Sequence, residues 1–189
     1  LNVTGDALAS DLKALDAKTS SLVSTATGAK ITGSGADLKT VIKSSGIELF
    51  GDEKIEVTNK VSASDANTFS AATTGVVTAE VNAGSAAALN KALSQDKDGS
   101  GADFENALTL TVTGATAAAS DLIGLDAKTS EVVDASAVKT ITGNLNLLDI
   151  ISDTSNTTIL VNSTANATVT DKVLTSDLSK LNDLINDTT

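Results

Sequence analysis

Apolar residues recur along the chain in two alternating patterns. Short stretches in which every second residue is apolar or β-branched are typical of strands. Such stretches lie at residues 1–4, 29–33, 55–58, 75–81, 110–113, 138–143 and 167–170. Between them, leucines three residues apart indicate the apolar face of a short helix, as at Leu12 and Leu15 and again at Leu122 and Leu125. Strands that alternate with helices predict an α/β fold with right-handed crossovers and a mainly parallel sheet.

One motif returns at a nearly fixed spacing. Residues 10–20 read SDLKALDAKTS and residues 120–130 read SDLIGLDAKTS, and weaker copies begin at Ser64 and Ser176. A regular period of this size indicates stacked supersecondary units. Each period contains two strand–helix half-units of about 25–30 residues, the size of one coil of an α/β solenoid. We therefore predict a repeat solenoid of alternating short strands and short helices in one domain, residues 1–189, with repeats at about 1–54, 55–109, 110–166 and a partial repeat at 167–189.

Two kinds of helix start are predicted from the polar residues. In each copy of the motif Ser precedes Asp, which suggests Ser as the N-cap and Asp in the first helical turn. This pattern predicts N-caps at Ser10, Ser64, Ser120 and Ser176. In the second half-unit, Ser34 and Asp37 have capping-box-like spacing, and Asn144 occupies the corresponding place in a later repeat.

Composition and charge remove several classes of function. The formal net charge is −11, and all basic residues are Lys, which argues against a nucleic-acid-binding protein. The chain has no His and no Cys, so the usual general bases and nucleophile pairs are missing and we predict no enzymatic activity. No apolar run approaches the roughly 20 residues of a membrane span. Because the chain begins at Leu1 without Met, we expect a processed protein or a segment of a longer one.

A formal match to a catalytic motif is explained better by the repeat. Ser10 and Lys13 have the Ser-x-x-Lys spacing of penicillin-binding enzymes, in which Lys can activate Ser. In the other copies the position of Lys13 is Asn67, Ile123 or Ser179, whereas Ser is kept. That behaviour favours an N-cap over a nucleophile.

Residues 96–105 contain the most specific candidate site. Acidic and hydroxyl side chains at alternate positions, followed by Gly101, match the first half of an EF-hand-type calcium loop. The match ends at position 12, where Ala107 replaces a bidentate Glu, and a polar turn remains the alternative. With calcium as the candidate cofactor, the predicted ligands are Asp96, Asp98, Ser100, Asp103 and Glu105. Residues 51–53 (Gly-Asp-Glu) occupy the equivalent corner of the first repeat, and we interpret them as an exposed turn.

The repeat style is similar to that of a known class of protein. The motif at residues 120–130, followed by VDASAVKTITG at residues 133–143, resembles the Ala/Thr/Asp-rich repeats of very large extracellular bacterial proteins, common in cyanobacterial surface proteins. The Gly-Gly-x-Gly-x-Asp nonapeptides of the calcium arrays that often accompany such repeats are missing, so the resemblance assigns no calcium ligand. It implies a cell-surface, matrix or filament role and no catalytic residue.

The sequence thus favours a non-catalytic structural or interaction module of a bacterial cell-surface or extracellular protein, as in a surface layer, an adhesin or a self-assembling filament. The expected partners are further copies or neighbouring repeats, because the open ends of a solenoid expose apolar faces. The alternative is a calcium- or glycan-binding module on a cell or particle surface, including a phage tail or fibre protein.

Overall fold

The computed structural model describes residues 1–94, 106–153, 158–177 and 180. These residues form an α/β fold in which short helices alternate with short strands. The helices are α1 (Ala9–Asp16), α2 (Gly35–Lys43), α3 (Ala63–Ala72), α4 (Ala86–Ala92), α5 (Ala119–Asp126) and α6 (Leu145–Ser152), with a 3-10 turn at Thr175–Asp177. The strands are β1 (Ala7–Leu8), β2 (Val23–Ser24), β3 (Lys30–Gly33), β4 (Ile47–Glu48), β5 (Lys54–Val57), β6 (Val77–Glu80), β7 (Ala107–Thr109), β8 (Thr116–Ala118), β9 (Val133–Ala135), β10 (Thr140–Gly143), β11 (Ile159–Val161) and β12 (Asn166–Val169).

The chain divides into two compact units. The first comprises residues Leu1–Asn82 and Leu93–Thr109, and the second comprises Ala83–Ala92 and Leu110–Thr189. The first unit contains a five-stranded sheet in the order β1-β3-β5-β6-β7 and the pair β2-β4. The second contains a three-stranded sheet in the order β12-β10-β8 and the pair β11-β9. Neighbouring strands in these sheets run parallel, which confirms the predicted α/β class and the mainly parallel pairing.

The strand register advances by a nearly constant number of residues. Ala7 lies opposite Ile31 and Ile31 opposite Ile55, steps of 24 residues, and Ile55 lies opposite Val77, a step of 22. The step from β6 to β7 is longer, with Thr78 opposite Ala107. The repeat found in the sequence therefore spans two register steps, each with one helix.

Rows of aliphatic side chains form the core of the first unit. Ile31, Ile55 and Val77 follow one another across the sheet and are at most 3% exposed. Leu12 from α1 and Phe69 from α3 are fully buried with them. Because parallel strands place successive inward residues side by side, a chain with few aromatics fills its core with stacked Ile, Val and Leu.

The second unit repeats the plan of the first. Leu122 and Leu125 of α5 are fully buried, as the leucine spacing predicts, and Ile141 of β10 is 6% exposed. In each unit, a glycine at the end of a strand lies close to the first residue of a helix. A Cβ added to Gly33 would lie 2.7 Å from the Cβ of Ala9, and one added to Gly143 would lie 2.9 Å from that of Ala119.

The predicted caps divide into two groups. Ser34 and Asn144 cap α2 and α6, where they accept hydrogen bonds from the backbone N–H groups of Asp37 and Leu147. The prediction was wrong for Ser10 and Ser120, because α1 and α5 begin two residues earlier than these caps imply, and their N-cap positions, Leu8 and Ala118, make no side-chain cap. Helices α1 and α5 each follow a strand directly. The end of that strand and the close approach of a glycine to the first helical alanine therefore decide where the helix starts.

The other two copies of the motif also differ from the prediction. Helix α3 is capped by Ser62, whose hydroxyl accepts from Asp65 N, and Ser64 lies inside the helix. Ser176 belongs to the 3-10 turn. The Asp that follows each Ser does lie in the first turn of α1, α3 and α5.

Candidate functional site

The predicted calcium ligands Asp96, Asp98, Ser100, Asp103 and Glu105 all lie outside the described residues. Among the residues that are described, no group of three or more acidic side chains is arranged to hold a metal ion. Calcium at residues 96–105 therefore stays a prediction.

The corner at residues 51–53 is not the exposed turn that the sequence suggested. The Glu53 side chain is 1% exposed. Its Oε1 accepts hydrogen bonds from Thr25 Oγ1 at 2.6 Å and from Phe50 N at 2.7 Å, and its Oε2 accepts from Gly51 N at 2.9 Å. A buried carboxylate is tolerated only when donors of this kind replace its water. Because the protein itself supplies these donors, the corner is best described as a structural anchor.

The backbone around Glu53 is packed as closely as its side chain. Thr73 Oγ1 donates to the Glu53 carbonyl oxygen at 2.6 Å and accepts from Gly75 N at 2.9 Å. A Cβ at Gly75 would lie 2.5 Å from the same carbonyl oxygen. Residues from three successive register steps thus converge on one acidic residue.

Ion pairs connect successive register steps in the first unit. Lys13 pairs with Asp37, Lys39 with Asp65 at 2.9 Å, Lys30 with Glu56 at 2.8 Å and Lys60 with Glu80 at 2.8 Å. Each pair joins residues 20–26 positions apart. Lys13, the residue of the Ser-x-x-Lys match, is thus engaged by the next helix.

Side-chain-to-backbone hydrogen bonds also connect successive register steps. We call these hydrogen bonds and the ion pairs together the polar ladder. Asp6 Oδ1 accepts from Lys30 N at 2.9 Å, Asp52 Oδ1 from Gly28 N at 3.0 Å, and Asn59 Oδ1 from Gly35 N at 2.9 Å. These partners are 24 residues apart, which is the step of the strand register from β1 to β3 and from β3 to β5. The polar surface of the first unit therefore has the same period as its core.

Ion pairs with lysine lower the pKa of three acids, Asp37, Glu56 and Asp65. The pKa of Asp65 is lowered by its hydrogen bond to Lys39, then by Ser62, against the opposing effect of burial. The pKa of Asp37 is lowered by Lys13 and Ser34. An Asp whose folded-state pKa is depressed stabilises the fold above the unfolded pKa, and this contribution is lost as the pH falls through the folded pKa.

The lowered pKa of Asp65 gives a testable pH dependence for the Lys39–Asp65 ion pair. In a double-mutant cycle of Asp65→Asn and Lys39→Met, we expect a coupling free energy of about 0.2–1 kcal/mol at pH 7, the range for surface pairs. It should disappear as the pH falls below the ordinary Asp value of 3.8, because protonated Asp65 no longer pairs with Lys39. Urea unfolding at several pH values measures it. A coupling that persists in acid would show that the two side chains interact by packing.

A candidate interaction surface lies at β1 and α1. We call Ala7, Leu8, Asp11 and Leu15 the open face; with their neighbours they line a groove of about 380 Å³. Leu8 is 51% exposed. Strand β1 pairs with β3 on one side only, and among the described residues of the first unit no strand pairs with its other edge. An edge of this kind offers free backbone N–H and C=O groups to a further strand.

Comparisons with protein-family models, with curated proteins and with solved structures each find no match. In the described part of the chain, no helix combines the length and apolar character needed to cross a membrane.

Proposed function

We propose that the chain is a non-catalytic structural and interaction module, built as a solenoid of stacked strand–helix coils, that associates with further copies or neighbouring repeats in a bacterial cell-surface or extracellular assembly. The observation that carries the proposal is the regular parallel register, with a polar ladder of the same period and an uncovered edge at β1. A periodic stack can be extended by one more unit with the contacts it already uses.

The composition is compatible with an extracellular setting. Of the 189 residues none is Cys, so folding does not depend on disulfide formation. The resemblance to Ala/Thr/Asp-rich surface repeats points to the same setting. The net charge of −11 keeps single chains apart at low salt and allows association when that charge is screened.

Sedimentation equilibrium over a wide range of protein concentration tests the proposal. We expect the average mass to rise above 18.9 kDa with concentration, and to rise more steeply at about 0.15 M salt than at about 0.01 M, because the repulsion between acidic chains is screened. A mass of 18.9 kDa at every concentration and salt level would contradict self-association.

Thermal melting tests the calcium alternative. The acidic pattern at residues 96–105 supports that alternative, and it predicts a higher melting temperature in calcium chloride than in excess EDTA. Magnesium chloride at equal ionic strength is the control. Equal melting temperatures in all three would remove calcium from the candidate functions.

A further inference from the structure

The two best copies of the sequence motif have different surroundings, although nine of their eleven residues are identical. In the second unit, α4 lies against α5. Asn90 Nδ2 donates to Asp121 Oδ1 at 3.1 Å, and Lys128 Nζ donates to the Asn90 carbonyl oxygen. Leu125 is fully buried, and burial lowers the pKa of Lys128, with Asp121 acting in the opposite direction.

The equivalent residues of α1 are uncovered. Asp11 and Lys18 are exposed and Leu15 is half-buried, at the positions of Asp121, Lys128 and Leu125. The same motif therefore forms a covered helix face in the second unit and a bare one in the first. This internal comparison indicates that the open face is suited to contact with one more strand–helix coil.

One difference between the copies limits what can cover α1. A Cβ at Gly124 of α5 would lie 2.7 Å from the side-chain amide of Asn90, so the close approach of α4 depends on that glycine. In α1 the position is occupied by Ala14. A copy of α4 in the same pose would collide with Ala14, which argues against exchange of α4 between chains as the way to cover the open face.

A complementary free edge lies in the second unit. Strand β12 pairs with β10 on one side, and among the described residues of the second unit no strand pairs with its outer edge. Its residues Asn166, Ala167 and Thr168 are exposed. The free edge of β1 precedes its sheet in chain order and that of β12 follows its sheet, so the two can pair in parallel in the way that β1 pairs with β3.

We propose that the open face is the docking site for the β12 edge of a second copy, with β12 added in parallel to β1. This inference rests on the proposed function and specifies its interface. The alternation of side chains fixes the register: Ala7 lies opposite buried Ile31 and Ala167 opposite buried Ile141. The inward row continues when Ala167 lies opposite Ala7, which places Thr168 opposite Leu8. The contact is head-to-tail and leaves each copy with one free edge, so further copies can add in the same way.

Cysteine cross-linking tests the register, because the natural chain has no Cys. Leu8→Cys and Thr168→Cys proteins are mixed under mild oxidation, and the disulfide-linked peptides are identified by mass spectrometry after proteolysis. We expect the mixed 8–168 disulfide to form at least about tenfold faster than either homodimer, since adjacent strands place Cα atoms within disulfide range. Phe50→Cys mixed with Thr168→Cys is the control, because Phe50 is also exposed, at 56%, but does not line the groove.

A charge placed on the edge gives an independent readout. Leu8→Lys should raise the concentration needed for association at least about tenfold, whereas Phe50→Lys should change it less than about twofold. If wild type associates but the 8–168 disulfide forms no faster than the 50–168 control, the interface is wrong and the proposed function stands. If disulfides between two position-8 cysteines dominate, the proposed interface is wrong and the chain forms a symmetric β1–β1 dimer instead. If wild type stays monomeric at all concentrations, the proposed function and this interface fail together.

Discussion

Replacing Phe69 by alanine is expected to lower the free energy of unfolding by about 3–5 kcal/mol. Phe69 lies in α3 and is fully buried. Its ring reaches the start of α2, where a Cβ on Gly35 would lie 3.7 Å from Phe69 Cζ. Most of the surrounding core is Val, Ile, Leu and Ala, and these side chains are held in place by paired strands. They cannot move in to fill the volume that a phenyl ring leaves, so the cavity adds to the lost transfer free energy.

The chain contains a matched control for this prediction. Phe50 is 56% exposed, and Phe50→Ala should change the free energy of unfolding by no more than about 0.5 kcal/mol. Urea unfolding followed by far-UV circular dichroism measures both variants. Equal losses for the two variants would mean that the stability of the first unit does not depend on the core around α3.

The second large effect is expected for Glu53→Gln. The carboxylate accepts from three donors, two at Oε1 and one at Oε2. A glutamine amide has one oxygen and one NH₂ group, so at least one of these donors must face another donor. We expect a loss of about 1.5–3 kcal/mol, the range for a hydrogen bond to a charged group, because the buried site has little room for a replacing water.

Glu48→Gln is the control for Glu53→Gln. Glu48 is exposed, and its Oε2 accepts one hydrogen bond, from Ser24 Oγ at 2.6 Å. Water can replace this bond, so the expected change in unfolding free energy is below about 0.5 kcal/mol. Urea unfolding at pH 7 compares the two. If Glu53→Gln costs no more than Glu48→Gln, the corner at residues 51–53 is not an anchor.

Phe69 and Glu53 have the same structural role, although their contacts differ in chemistry. Phe69 joins successive helices through an apolar contact, and Glu53 joins successive register steps through hydrogen bonds to Thr25 and to its own turn. Both act along the direction in which the strands follow one another. Both residues therefore stabilise contacts between successive register steps, on which the structural function that we propose depends.

Features that depend on neighbouring residues were predictable from the sequence. Strands β3, β5, β6 and β10 lie where alternating residues placed them, and Ser34 and Asn144 cap helices as predicted. The alternation of helices with strands gave the α/β class and the mainly parallel pairing. These features depend on side-chain periodicity and on hydrogen bonds within three or four residues, which are visible in a single stretch of sequence.

The tertiary structure decided what depends on distant residues. Ser10 resembles an N-cap, but the strand before it and the close approach of Ala9 and Gly33 start the helix two residues earlier. Glu53 resembles an exposed turn residue, but Thr25, 28 positions away, and the turn at Phe50 and Gly51 bury it. The open face is bare although its motif is nearly identical to a covered one. The period of the chain can be read from the sequence. The burial of a residue depends on which segment lies beside it, and the register of the folded strands determines which segment that is.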